Sequence, residues 1–309
     1  METGPTGADR IAFLGFGEAA QAFLEGWRSR PDFAARVVAY DVKTDSREPR
    51  VRDAKRADYS AAGVEDGRNA ATALSGAPLV FSVVTADQAE AAALAALPGL
   101  ARDAFFFDCN SCAPQTKARA ASQVEAAGGR YVDVAVMSPV HPRLHRSPLL
   151  ISGPHADAAA AALRSLDMAP KIHEGPVGSS SAIKMIRSVM IKGLEALACE
   201  CALAGREAGV DAIVLASLDE TFPGFDWKKR VAYMLERMMT HGVRRAAEMR
   251  EAALTVDQLG LDGAMSRGAV AWQQRIGELA LCAADGDSSD YRDLADRILS
   301  ALDSHGETK

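Results

Sequence analysis

No run of apolar residues in the chain reaches the roughly 18 that a membrane-spanning helix needs, which excludes such a span by length alone. The first ten residues, Met1 to Arg10, show no charged segment followed by an apolar core. No export leader is therefore expected, and the cytoplasm is the expected compartment. Cysteine is scarce: Cys109, Cys112, Cys199, Cys201 and Cys282 are odd in number and share no repeated spacing, which suits free thiols in a reducing compartment better than a disulfide framework. Blocks of lysine and arginine interleaved with aromatics are missing and the formal net charge is -6, so nucleic acid is not an expected partner. A P-loop and a G-x-S-x-G elbow are also absent, which removes the common nucleotide-hydrolysing and serine-hydrolase designs. His141 and His145 are four residues apart, but Pro142 intervenes and no cysteine or carboxylate cluster accompanies them, so no metal site is expected.

What is present is an ordinary globular composition, with 48% apolar and 25% charged residues over a length of 309, enough for two domains with their own cores. The first two-fifths alternate short apolar runs with alanine-rich helical stretches, the pattern of parallel strands joined by crossover helices. Strands are expected at Ile11 to Leu14, Val37 to Tyr40, Leu79 to Val84, Ala104 to Phe107 and Tyr131 to Val136, with a shorter pair at Leu149 to Ser152 and Lys171 to His173. Helices are expected at Ala19 to Arg28, Ala86 to Ala96 and Gln115 to Ala127. Beyond Gly175 the strand pattern stops and a period near 3.6 takes over. Ser179, Ser180 and Ser181 can cap a helix running to about Ala208, roughly 42 Å long at 1.5 Å per residue. The expected architecture is α/β, a Rossmann doubly wound parallel sheet over residues 8–174 followed by an all-helical domain over residues 175–309.

The sharpest local signal is Gly15-Phe16-Gly17-Glu18-Ala19-Ala20, directly after a strand and opening a helix. It fits G-x-G-x-x-G/A: the first glycine permits a tight turn, the second lets backbone approach a pyrophosphate, and the small residue at Ala20 allows close helix-to-strand packing. The helix start then offers N–H groups and positive dipole to phosphate. Asp41 ends the second strand, where a carboxylate can accept from ribose hydroxyls and repel a 2′-phosphate, favouring NAD. Lys43 and Arg47 follow closely and can turn toward a phosphate, so NADP is not excluded. Cys109 and Cys112 have redox spacing at a strand-to-helix turn, but are read as small residues packed in that turn.

On these motifs the chain resembles the β-hydroxyacid dehydrogenases, the superfamily of 6-phosphogluconate and 3-hydroxyisobutyrate dehydrogenases, and within it the phosphogluconate-dehydrogenase-like branch with a distinctive C-terminal domain. The resemblance implies that Val84 and Thr85 lie along the cofactor. It also places Asn110 and Ser111, within Asp108-Cys109-Asn110-Ser111-Cys112-Ala113-Pro114, near the nicotinamide or substrate, although helix capping explains them as well. The family's catalytic helix, with glycines before it, a lysine one turn in and an asparagine four residues later, is matched by Gly175 to Ser188. Lys184 is the catalytic lysine so implied, and Ser188 stands in the asparagine position. A lysine serving as base near neutrality needs its pKa brought down from about 10.4, which burial and a helix start both do. The family's substrate loop, Asp-x-Pro-Val-Ser-Gly-Gly, becomes Asp133 to Pro139 with Met137, Ser138 and Pro139 at its end and no glycine pair. The pocket is therefore expected to be more apolar and stiffer than in better-known members.

Lys184, Ser188, Lys192 and Glu195 share one helix face, which otherwise reads as a solvated face pairing Lys192 with Glu195. His241, Arg245 and Glu248 likewise share a face, where Arg245 can receive a substrate carboxylate or sit in a solvated ion-pair array with Arg244. Thr221 to Trp227 is an aromatic loop that can roof a substrate pocket or pack in a core. The expected activity is NAD-dependent hydride transfer between nicotinamide and a small β-hydroxy acid or related alcohol, with Lys184 as general acid and base. Imine reduction, and a regulator that binds NAD(P) without chemistry, are the rivals. The resemblance further implies a homodimer packed through the helical domain, with Met234 to Met239 as possible contributors.

Overall fold

The computed structural model describes residues 9–281 and 290–306. Residues 1–8, 282–289, Cys282 among them, and 307–309 lie outside the described part. The described chain forms two compact units, divided between Lys184 and Met185.

In the first unit, β1 (Arg10–Leu14), α1 (Glu18–Arg28), β2 (Arg36–Tyr40), α2 (Pro49–Ala61), β3 (Glu65–Asp66), α3 (Ala70–Leu74), β4 (Leu79–Ser82), α4 (Ala89–Ala96), β5 (Phe105–Asp108), α5 (Pro114–Ala126) and β6 (Arg130–Val136) alternate strand with helix. Two further strands, β7 (Pro148–Ser152) and β8 (Ala169–Ile172), flank α6 (Ala156–Ser165). The sheet order is β3-β2-β1-β4-β5-β6-β7-β8. Strands β1 to β6 pair in parallel, whereas β7 runs antiparallel to β6 and β8 parallel to β7. The sheet is thus mostly parallel, as expected of a Rossmann domain, with β7 as the one reversal. No α-helix lies between β6 and β7 to carry the chain back across the sheet, whereas α6 does so between β7 and β8.

Period-two alternation explains how the strands are buried on both faces. Phe13, Phe81, Phe105 and Phe107 enter one core with Phe16, Phe23 and Trp27, while Leu14, Val80, Phe106 and Tyr131 enter the core on the opposite face. The rings of Phe81 and Phe107 stack with centroids 4.8 Å apart. Two elements had no apolar signature. Strand β3 is an acidic two-residue edge, and α2 buries only Lys55 and Tyr59.

The long helix α7 (Ser179–Glu207) begins in the first unit and continues into the second. The second unit adds α8 (Asp211–Thr221), α9 (Trp227–Gln258), α10 (Ala264–Glu278) and α11 (Tyr291–Gly306). Its core contains Leu235, Met238, Met239, Ile276, Leu294 and Ile298. Helices α9 and α10 approach closely at Gly242 and Gly277, where a Cβ on Gly242 would stand 2.7 Å from the Gly277 Cα. Met234, Met238 and Met239 are buried in this core, so they are not the exposed patch that a dimer contact requires. Among the described residues no helix is long and apolar enough to cross a membrane.

Candidate active site

The chain winds outward from β1 through β2 to β3, then returns to place β4 on the other side of β1. Such a switch point opens a crevice at the carboxyl ends of β1 and β4. Gly15 follows β1 there, with φ +80 and its N–H donating to the Tyr40 carbonyl at 2.8 Å. A Cβ on Gly15 would stand 2.7 Å from the Val83 carbonyl oxygen, so both the backbone conformation and the space demand glycine. Gly17 holds the N-cap position of α1, brings no side-chain cap, and has open space where a Cβ would be. The helix start is thus left to an outside acceptor, as a pyrophosphate requires. Phe16 is buried, Glu18 exposed and Ala19 half-buried.

Gly15→Ala is expected to weaken NADH binding by roughly ten- to hundredfold, the equivalent of the 1–3 kcal/mol that left-handed backbone strain carries, if displacing the turn relieves it. A fluorescence titration reads this directly, and unchanged affinity would mean that the turn does not carry the cofactor.

Asp41, at the end of β2, ties this turn together. Its Oδ2 accepts from the Phe16 N–H at 2.9 Å and its Oδ1 from the Lys43 N–H at 3.0 Å. A carboxylate has about four acceptor positions, so two remain for ribose hydroxyls. Lys43 and Arg47 are exposed beside it. Val84 is half-buried and Thr85 exposed, just beyond the end of β4.

Beyond β5, Asn110 is buried and firmly oriented. Its Nδ2 donates to Ser82 Oγ at 2.9 Å and to Asp108 Oδ1 at 2.7 Å, which settles which end of the amide is which. Its Oδ1 is buried with no hydrogen-bond partner. An orphaned acceptor at the carboxyl end of the sheet fits a nicotinamide amide or a ribose hydroxyl, so these residues suit the dinucleotide. Ser111 is half-buried next to it. Cys109 and Cys112 are both buried, and burial pushes the Cys109 thiol up to about 12, so it stays protonated and unreactive near neutral pH. That corrects the redox alternative. Met137 and Ser138 are half-buried and Pro139 exposed after β6, with Ser138 Oγ donating to the Pro139 carbonyl at 3.0 Å.

Beneath this edge lies a network that sequence reasoning missed. Lys117, with no solvent exposure, places its Nζ 2.8 Å from Asp108 Oδ1 and 3.7 Å from Asp133 Oδ1, and donates to the Asp108 carbonyl at 2.6 Å. Tyr131 donates its hydroxyl to Asp108 Oδ2 at 2.5 Å. Burial and the Asp108 charge push that hydroxyl well above its ordinary value, keeping it a donor. A signal was available: Lys117, Ala120, Ala121 and Val124 recur at helical spacing, and all are buried.

Lys184 is half-buried on α7 and close enough to the turn after β5 for its charge to act on the Cys109 thiol. Ser188 follows one turn later and is buried, accepting from Lys192 Nζ at 3.1 Å. The solvated face expected here is instead buried in the second unit. Lys192 pairs with Glu248 at 2.7 Å, and Glu195 accepts from Arg245 Nε at 3.1 Å and Gln273 Nε2 at 3.1 Å. Arg245 is 8% exposed and directs both Nε and Nη2 to Glu195, so neither a solvated array nor a free carboxylate clamp describes it. His241 is half-buried on α9. The aromatic loop packs into the second core, with the rings of Phe225 and Trp227 at 4.4 Å, rather than roofing a pocket.

Residues 10–168 match the family model described as the NAD binding domain of 6-phosphogluconate dehydrogenase, and residues 206–276 match a domain of unknown function, DUF1932. A conserved hypothetical protein from Sinorhizobium meliloti 1021 is 38% identical over 95% of this chain and 97% of its own, with a TM-score of 0.69. The conserved protein MTH1747, described as structurally similar to 3-hydroxyacid dehydrogenases, is 28% identical over 89% of this chain and 100% of its own, with a TM-score of 0.63. Mycobacterium tuberculosis 3-hydroxyisobutyrate dehydrogenase, solved with L-serine, is 16% identical over 94% and 99% of the two chains, with a TM-score of 0.66, a likeness of fold alone. A comparison with curated protein sequences returns no match. The chain therefore carries an NAD-binding domain and belongs to the family of the 6-phosphogluconate dehydrogenase NAD-binding domain.

Proposed function

We propose that the protein is an oxidoreductase that moves hydride between a nicotinamide cofactor, NAD in preference to NADP, and the hydroxyl-bearing carbon of a small hydroxy acid, with Lys184 as general acid and base. One observation carries the reading. The turn after β5 holds both the orphaned Asn110 Oδ1 and Cys109, on whose thiol the Lys184 charge acts, which supports a proton carrier near a cofactor-orienting amide. When bound, the nicotinamide would supply the hydride acceptor in oxidation and the donor in reduction. Gly15, Phe16, Gly17, Glu18 and Ala19 hold its pyrophosphate, Asp41 the adenosine ribose, and Val84, Thr85 and Asn110 the nicotinamide end.

The work left to the protein is proton handling. Uncharged Lys184 Nζ takes the hydroxyl proton as the alcohol is oxidised, and the ammonium returns it to the oxygen in reduction. Ser111 and Ser138 supply hydroxyls to the substrate, while Met137 and Pro139 give its pocket an apolar wall. Arg245, already committed to Glu195, is left out of this assignment. The test is hydride transfer followed at the nicotinamide absorbance, with NAD and NADP offered separately against hydroxy acids, their oxo counterparts and imines. Turnover of a hydroxy acid with NAD supports the reading; reduction of imines alone, or cofactor binding without turnover across the panel, counts against it.

The same reading includes a homodimer. Ile183, Ile186, Met190 and Leu197 recur three, four and seven residues apart along α7 and are exposed, Met190 by 69%. A second copy of the chain covers such a face at little cost. Light scattering should return a dimer for the wild type and a smaller species for Met190→Asp, and a wild-type monomer would remove the claim.

A further inference from the structure

The first turn of α7 is not capped by the serines at its start. Its N–H groups are taken from the sheet: Asp133 Oδ2 accepts from Gly178 N at 3.0 Å and Ser181 N at 3.1 Å, and Ser152 Oγ accepts from Ser180 N at 3.0 Å. Ser181 Oγ donates to Asp133 Oδ1 at 2.6 Å, and Ser152 Oγ donates to Asp133 Oδ2 at 3.1 Å. Asp133 and Ser152 are themselves register partners across β6 and β7. One fully buried carboxylate thus does for α7 what a local N-cap does elsewhere, from a distance of 48 residues.

Lys117 joins that carboxylate to Asp108, and Asp108 Oδ1 in turn accepts from the Asn110 N–H at 3.0 Å and from its Nδ2 at 2.7 Å. The chain Asn110, Asp108, Lys117, Asp133, Ser181 therefore runs unbroken from the cofactor turn to the residue one helical turn before Lys184. All five are buried, and three are charged. Well-packed apolar side chains hold a fold together at least as well as buried ion pairs do, so stability alone does not account for charges here.

We propose that Asp133 and Lys117 are positioning residues for Lys184: Asp133 fixes the rotation and height of α7 against the sheet, and Lys117 registers that clamp to the Asp108 carboxylate that orients Asn110. The inference rests on the reading of Lys184 as acid and base. A base that must meet a hydroxyl within hydrogen-bond reach loses about a hundredfold in rate for an error near 1 Å, and a helix anchored only by its own serines would not hold that tolerance.

The test uses the full-length protein and two variants, Asp133→Asn, which keeps shape and one acceptor, and Ser181→Ala, a milder change that removes a single donor to Asp133. Amide hydrogen exchange is read over residues 178–186, with β1 and the glycine turn as internal references. Asp133→Asn is expected to speed exchange over 178–186 at least tenfold, as local opening does, while the references stay put. Ser181→Ala should do the same to a smaller degree. The hydride-transfer kcat of Asp133→Asn should fall about ten- to hundredfold with KM for the cofactor unchanged. Exchange that is unaltered, or that rises evenly over the whole first unit, overturns the proposal. Lys184→Ala run alongside separates the two failures. If it is as active as wild type, the acid-base reading falls, while the exchange data still decide whether Asp133 clamps α7.

Discussion

Lys184→Ala is expected to slow hydride transfer by about 10²- to 10⁴-fold, the range that general acid-base catalysis contributes, with cofactor affinity within a factor of about two of wild type. The proton of a secondary alcohol has to leave as the hydride does. An alanine offers no group to accept it. Lys184→Arg should be nearly as slow, because a guanidinium keeps the charge but does not give up its proton at usable pH. The pair thus separates charge from proton transfer. Small primary amines added to Lys184→Ala should restore part of the rate, since they return a titratable nitrogen to the space the side chain vacates. Equal kcat in wild type and Lys184→Ala, with a substrate both accept, would end the assignment.

Removing the buried ammonium should produce the largest stability effect in the molecule. Lys117→Met keeps most of the side-chain volume but leaves Asp108 and Asp133 facing each other without solvent or counter-charge. Breaking a buried pair in this way costs about 3–5 kcal/mol, a large fraction of the 5–15 kcal/mol that holds a typical domain folded. A fall in Tm on the order of 10 °C follows for a unit of this size. Burial by itself would lower the Lys117 pKa, but the two carboxylates outweigh it and hold the value above that of a free lysine. Its contribution is therefore fully present below the ordinary lysine value of about 10.4 and declines as pH rises toward the folded value. Wild type should lose stability relative to Lys117→Met on that alkaline side alone. A variant that melts within two degrees or so of wild type would show that the pair contributes little.

The comparison of Lys117 with Lys184 explains what could be read in advance. Lys184 announced itself by its place in a motif after Gly175 and Gly178. Lys117 carries no motif and looks like any lysine of a surface helix, until its spacing with Ala120, Ala121 and Val124 is set against their burial. Arg245 misled in the opposite direction. Its helix face carries charges in a pattern that resembles a solvated array, yet Glu195 and Gln273, far away in sequence, enclose it.

Sequence alone determined the alternation of strand and helix through β6 apart from α2, β3 and α3, the glycine turn at Gly15, and the helical character of the described residues after Gly175. Each follows from near-neighbour physics: apolar periodicity, the steric freedom of glycine, and the company a motif keeps along the chain. Only the tertiary structure decided that β7 reverses direction, that Asp133 rather than Ser179 to Ser181 caps α7, that Asn110 Oδ1 is left without a partner, and that the methionines of α9 are core while α7 presents the exposed apolar face. Those outcomes depend on contacts between residues tens of positions apart, where the cost of burying a charge or a polar atom is set by the whole packed neighbourhood rather than by the residues beside it in the chain.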